Sequence, residues 1–162
     1  MTLREISLTL PNRPGTLAGV ARVLAEARIN VAAVSVDSST GRGHVRLVVS
    51  DPDRAVELLD AAGYATEVRE MLAVRLEDRA GSFLKVLEIL AKAKVNIQSA
   101  AILVAREGNH PVVGLSATSL DRARKILARA GFSSNGAEGL LTNSDLIAGA
   151  PTVPSESVGL LL

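Results

Sequence analysis

The residues best suited to chemistry form one short run, Leu10-Pro11-Asn12-Arg13-Pro14-Gly15-Thr16-Leu17, with Asn30-Val31 further along the chain. Pro14 fixes its own φ and Gly15 permits close backbone approach, so a helix starting here presents its first free amides, around Gly15 to Leu17, outward. With the positive end of the helix dipole behind them, such amides suit a carboxylate. Asn12 and Asn30 can each donate and accept, which matches the two charged ends of an α-amino acid. That reading puts Asn30 at the start of a neighbouring strand on the same sheet edge as Asn12. The plainer role for either asparagine is to satisfy turn backbone.

A strand and a helix must position this turn. Leu3 to Thr9 alternates as a strand, and Leu17, Val20, Ala21 and Leu24 carry helical spacing after Pro14-Gly15. Val31 to Asp37 and His44 to Ser50 read as two β-branched strands joined across Gly41-Arg42-Gly43. Asp51 is a good N-cap ahead of Pro52, Leu58 and Leu59 give a buried stripe, and Gly63 supplies the stop. Tyr64 to Glu70 then forms a last strand. The order is βαββαβ, an α+β ferredoxin-like arrangement with both helices on one sheet face.

The unit occurs twice. An offset of 66 places Leu10 on Leu76, Arg13 on Arg79, Gly15 on Gly81, Val20 on Val86, Leu24 on Leu90, Asn30 on Asn96 and His44 on His110. An offset of 68 then aligns Asp53 with Asp121, Leu59 with Leu127 and Tyr64 with Phe132. Ordered matches of this kind mark a duplication. Residues 1–70 form the first unit and 71–132 the second. Val68 to Leu76 contains neither Gly nor Pro, so the units are expected to be coupled rigidly, side by side. The last strand of copy two reads Ser133 to Gly139, a poor strand, so it is either degraded or shifted to about 139–142. Residues 143–162 read as a mobile tail or one borrowed by a partner.

The copies differ at the turn. Copy two has Glu77-Asp78-Arg79-Ala80-Gly81-Ser82-Phe83, with Asp, Ala and Phe where copy one has Asn12, Pro14 and Leu17, and it keeps Asn96. An ionised Asp78 only accepts, so it suits an ammonium, and Phe83 narrows the adjacent space. The two sites cannot be equivalent.

Asn12-Arg13-Pro14-Gly15-x-Leu17, followed by Val20, Leu24 and Ile29-Asn30-Val31, resembles the ACT domain, a small ligand-binding regulatory module of amino-acid metabolism, above all its version in phosphoglycerate dehydrogenase. The resemblance covers residues 3 to about 132 as two copies. It implies a non-catalytic sensor in which positions matching Asn12 and Asn30 contact an L-amino acid. It implies one eight-stranded sheet, ligand sites where the turns meet the neighbouring unit, and a homodimer. Carried over position by position, the site residues are Asn12, Arg13, Pro14, Gly15, Thr16, Leu17, Asn30 and Val31 in copy one. In copy two they are Asp78, Arg79, Gly81, Ser82, Phe83, Asn96 and Ile97, with copy one nearer the family pattern. No cofactor is implied. A ligand of so few heavy atoms reaches about −6 kcal/mol, or tens of micromolar.

Composition narrows the alternatives. The 162 residues are 48% apolar, and 18 Lys+Arg against 17 Asp+Glu leave +1, without the positive field of a nonspecific nucleic-acid binder. RNA recognition on such a sheet needs stacking aromatics, and Tyr64, Phe83 and Phe132 are absent from the middle strands. No cysteine occurs, so thiolate metal sites and thiol nucleophiles are excluded. No apolar run is long enough to cross a bilayer and no leader pattern opens the chain, so cytoplasmic residence is expected. Catalytic spacings are missing, and His44 with His110 are too few to hold a metal without carboxylates or a second chain. The motif-free alternative is a regulatory subunit that joins a metabolic enzyme in trans, with ligand binding vestigial.

Overall fold

In the computed structural model the described residues are 3–39, 41–107 and 110–132. They form strand β1 (Leu3–Pro11), helix α1 (Thr16–Glu26), strands β2 (Val31–Ser39) and β3 (Arg42–Val49), helix α2 (Pro52–Ala61) and strand β4 (Thr66–Arg75). Helix α3 (Ser82–Lys92), strands β5 (Ile97–Glu107) and β6 (His110–Ala117) and helix α4 (Leu120–Arg129) follow. The six strands form one antiparallel sheet in the order β2-β3-β1-β4-β6-β5. Two ferredoxin-like units therefore stand side by side, as the duplicated pattern demands.

The absence of a breaker between Val68 and Leu76 makes β4 a strand shared by both units. Its first part pairs with β1, from Leu8 against Thr66 to Leu3 against Met71. Its second part pairs with β6, from Leu72 against Leu115 to Arg75 against Val112. Residues directly opposite share a face. Val68 thus lies on the same side as Ile6, and Leu72 and Val74 continue that side opposite Leu115 and Val113. All four helices cover this face. The expected eight strands would become seven, because the last strand of unit one and the first of unit two are one strand, and six of them fall among the described residues. The expected final strand, whether at 133–139 or at 139–142, and the tail 143–162 lie outside the described residues.

Each unit buries an equivalent core. Ile6, Leu8, Val45 and Leu47 pack under Val20 and Leu24 of α1 and Ala55 and Leu59 of α2. In the second unit Leu72, Val74, Val113 and Leu115 pack under Val86 and Leu90 of α3 and Ala123 and Leu127 of α4. A third cluster joins the units on the helix-free face, with Leu3, Ala33 and Val48 from one and Met71, Ala73, Leu103 and Val112 from the other. The sheet curls enough that β2 and β5, at opposite ends of the strand order, lie against each other. Beside this seam Glu5 is 4% exposed. Ser99 Oγ donates to its carboxylate at 3.2 Å and lies 2.7 Å from Ser116 Oγ. Because Ser99 has one proton to give, Ser116 donates to Ser99, and the three residues form a directed chain from β6 through β5 to β1.

Helix α2 starts as its residues require: the Asp51 side chain accepts from the Arg54 amide at 3.2 Å, with Pro52 at the first helical position. Arg4 grips Asp53 with both guanidinium nitrogens, at 2.5 and 2.6 Å, tying β1 to α2. That hydrogen bond holds the Asp53 carboxyl below its ordinary value.

Candidate functional site

Both strand-to-helix turns adopt the same backbone. Gly15 and Gly81 are the N-caps of α1 and α3 with φ of 84° and 86°, a left-handed conformation that a side chain resists. The tightness of the turn uses up one amide in each copy. Thr16 N donates to the Arg13 carbonyl, and Ser82 N to the Arg79 carbonyl, each at 3.3 Å. Among the described residues the amides of Phe83 and Leu84 have no carbonyl partner, as the first turn of a helix leaves them.

The copies part at the hydroxyl. Thr16 Oγ1 donates to the Arg13 carbonyl at 3.0 Å. Ser82, at the matching position, is 7% exposed, and its Oγ is the buried side-chain oxygen among the described residues that has no hydrogen-bond partner. A buried hydroxyl without a protein partner is costly, and a polar group that reaches it offsets that cost.

Ser82 lines a cleft of about 510 Å³ between α3, the C-terminal end of β4 and the turn after α4. That volume lies in the usual range for small-molecule sites. Leu76, Ile89 and Phe132 provide apolar wall. Four cations, Arg75, Arg79, Lys85 and Lys92, face two carboxylates, Glu77 and Glu88. Arg79 is ion-paired with Glu77. His110 joins the rim, and its Nδ1 donates to the Leu76 carbonyl at 3.2 Å, which leaves Nε2 available.

Unit one fills the corresponding space. Tyr64, the counterpart of Phe132, carries its hydroxyl to 2.6 Å from where a Cβ on Gly19 would stand, and Gly19 is the counterpart of Lys85. The Asn12, Arg13, Pro14 and Gly15 turn is exposed, and its main-chain amide at Asn12 donates to the Gly41 carbonyl at 3.2 Å. Leu17 is half-exposed beside it.

The asparagines do not meet. Helix α1 carries the chain back along the sheet, so β1 and β2 run parallel and the end of one lies far from the start of the other. Pro11 pairs with Arg42, which pairs with Ser39 at the far end of β2. Asn30 sits at the opposite end, where its carbonyl accepts from the Ser50 amide at 2.9 Å, with Val31 entering the strand beside it. A nine-residue strand, about 26 Å, separates the two ends. The expectation that Asn12 and Asn30 share one edge is therefore corrected. Asn96 and Ile97 are likewise at the Thr118 end of their unit, away from His110 and Ser82. Asp78 and Phe83 are exposed on the turn itself.

A shallow trough of about 780 Å³ on the helix-free face of unit one sets Arg42, Arg46 and Arg69 against Glu5, Asp37 and Glu67. His44 lies in it, with Nδ1 at 3.2 Å from Thr9 Oγ1. Among the described residues no three His, Asp or Glu side chains converge as a metal site. No described helix is long and apolar enough to cross a membrane.

A family model described as an ACT domain pair matches residues 1–142. The chain belongs to the ACT domain pair family. No curated protein matches it. Among solved structures, the ACT pair is similar to protein BT0572 from Bacteroides thetaiotaomicron, at 26% identity and a TM-score of 0.75, over 82% of this chain and 91% of that one. It is similar to the ligand-free regulatory subunit of aspartate kinase from Thermus thermophilus, at 22% identity and a TM-score of 0.58, over 80% and 92%. The corresponding subunit from Thermus flavus has 17% identity and a TM-score of 0.55, over 81% and 94%. At their identities the two Thermus structures speak for the fold.

Within this ACT pair the charged cleft side chains that the turn motif did not reveal are Arg75, Lys85, Glu88 and Lys92. A signal for three of them was present. Ser82, Lys85, Ile89 and Lys92 recur at helical spacing on one face of α3, with Glu88 beside it, where α1 has Thr16, Gly19, Val23 and Glu26.

Proposed function

We propose that this ACT pair is a non-catalytic regulatory module that binds an L-amino acid at the turn of its second unit. The observation that carries the reading is the buried Ser82 hydroxyl, without a hydrogen-bond partner among the described residues, on a residue that lines a cleft of about 510 Å³. The α-carboxylate takes the helix amides and the Ser82 hydroxyl, and the ammonium takes Glu88 at the rim. The first-unit turn, with its hydroxyl already bonded, serves as scaffold. The module acts in the cytoplasm.

A thermal-shift screen of the twenty amino acids tests this. At about 100 times its dissociation constant a ligand adds roughly 2.7 kcal/mol, or roughly 5 to 10 °C in the midpoint. Ser82→Ala and Gly81→Val should remove the shift, and a screen in which no amino acid moves the midpoint overturns the reading.

A second reading, a subunit acting in trans on a metabolic enzyme, is favoured by a different observation. Ile102 and Val104 on edge strand β5 are 75% and 70% exposed, and Val34 and Val36 on β2 are also exposed. Such apolar edges suit a partner, including a second copy in a homodimer. Light scattering distinguishes monomer from dimer, and the aspartate kinase regulatory subunits among the structural relatives make that enzyme class the first partner to assay.

A further inference from the structure

We infer that the second-unit cleft selects an acidic amino acid of glutamate length, an inference that rests on the ligand-binding reading above. The starting point is the excess of cations over carboxylates around the cleft, four against two. Of the two carboxylates in the cleft, Glu77 is committed to Arg79, and Glu88 forms no ion pair with Lys85 or Lys92 although both are within a helical turn of it. Lys85 and Lys92 thus stand on the exposed rim of the cavity with no ion-pair partner among the described residues. Neither charge belongs to the duplicated pattern, because the first unit has Gly19 and Glu26 at these positions and fills the space with Tyr64. The cations are peculiar to the unit whose cleft is open.

Spacing then sets the length. Ser82 and Lys92 are ten residues apart on one helix, about 15 Å along its axis. Helical side chains lean toward the N-terminus and a fully extended lysine stem spans roughly 6 Å, so the Lys92 ammonium comes no nearer than about 9 Å to the Ser82 level. With one carboxylate at the helix N-terminus beside Lys85, the second acid group points along the cleft toward Lys92, and the longer of the two acidic side chains comes nearer to that ammonium. A neutral side chain would leave that ammonium unanswered, and a basic one would face it with like charge. Glu88, on the same rim, is the acceptor for the ligand ammonium.

Calorimetric titration of the full chain with L-glutamate, L-aspartate, L-glutamine and L-lysine tests the assignment. Glutamate is expected to bind at least about tenfold more tightly than glutamine. Lys92→Gln should bring glutamate down to the level of glutamine, and Lys85→Gln should weaken both. Glutamine or lysine binding as tightly as glutamate, with dependence on Ser82, overturns the acidic preference while leaving the ligand-binding reading intact. Equal discrimination in Lys92→Gln also overturns it. If none of the twenty amino acids binds, both fall.

Discussion

At the scale of single residues, two hydroxyls at matching positions have opposite energetic roles. Thr16 Oγ1 is bonded to the Arg13 carbonyl, so Thr16→Ala is expected to cost about 1 kcal/mol. Ser82 Oγ is buried without a partner, so Ser82→Ala should leave the unliganded protein as stable or more stable by up to about 1 kcal/mol. Urea unfolding without ligand checks both, and a substantial loss in Ser82→Ala would show that its hydroxyl already has a structural partner. The Arg4–Asp53 pair gives a pH dependence of definite sign. Because the Arg4 hydrogen bond lowers the Asp53 carboxyl in the folded state, its contribution is complete above the ordinary carboxylate range. It is lost as the pH falls through the lowered folded value. Both side chains face solvent, so the effect is small, and the urea midpoints of wild type and Asp53→Asn should converge in acid.

At the scale of elements, the helix starts separate positions that sequence alone treats as equals. Asp51 and Ser119 are both good capping residues at corresponding places. The Asp51 side chain accepts from the Arg54 amide, whereas Ser119 makes no side-chain cap bond. Asp51→Ala should therefore cost about 1 kcal/mol and Ser119→Ala close to nothing, by thermal or urea denaturation. The elements themselves were legible because Leu17 to Leu24 and its repeat carry helical spacing, and because no Gly or Pro interrupts Val68 to Leu76. The site was less legible. The motif drew the eye to Asn12 and Asn30, but their positions depend on the direction of the strands, which residue type does not encode. The Ser82 cleft depends on a difference between copies, Gly19 with Tyr64 against Lys85 with Phe132. Its openness follows from packing that single side chains do not announce. Tyr64 also makes the substitution Gly19→Ala a clash with its hydroxyl, so Tyr64→Phe should recover part of the loss in the double variant.

At the scale of the whole molecule, one strand belongs to both units, and a third apolar cluster with the Glu5–Ser99–Ser116 chain joins them on the helix-free face. Small units that share so much structure should unfold together. Leu59→Ala in one unit and Leu127→Ala in the other, each removing a fully buried side chain, should each lower a single common transition by about 2–5 kcal/mol. Two separate transitions would show that the units are independent. This coupling gives a ligand at Ser82 a route to the rest of the molecule, since β4 runs from the cleft into the first unit. The most direct test of that ligand site is an amide-resolved NMR titration of the full chain with the amino acid that the thermal screen selects. The account predicts that the Phe83 and Leu84 amides move first and furthest, while Leu17 and Ala18 stay in place. Shifts centred on Asn12 to Ala18, with Phe83 and Leu84 unmoved, would contradict it.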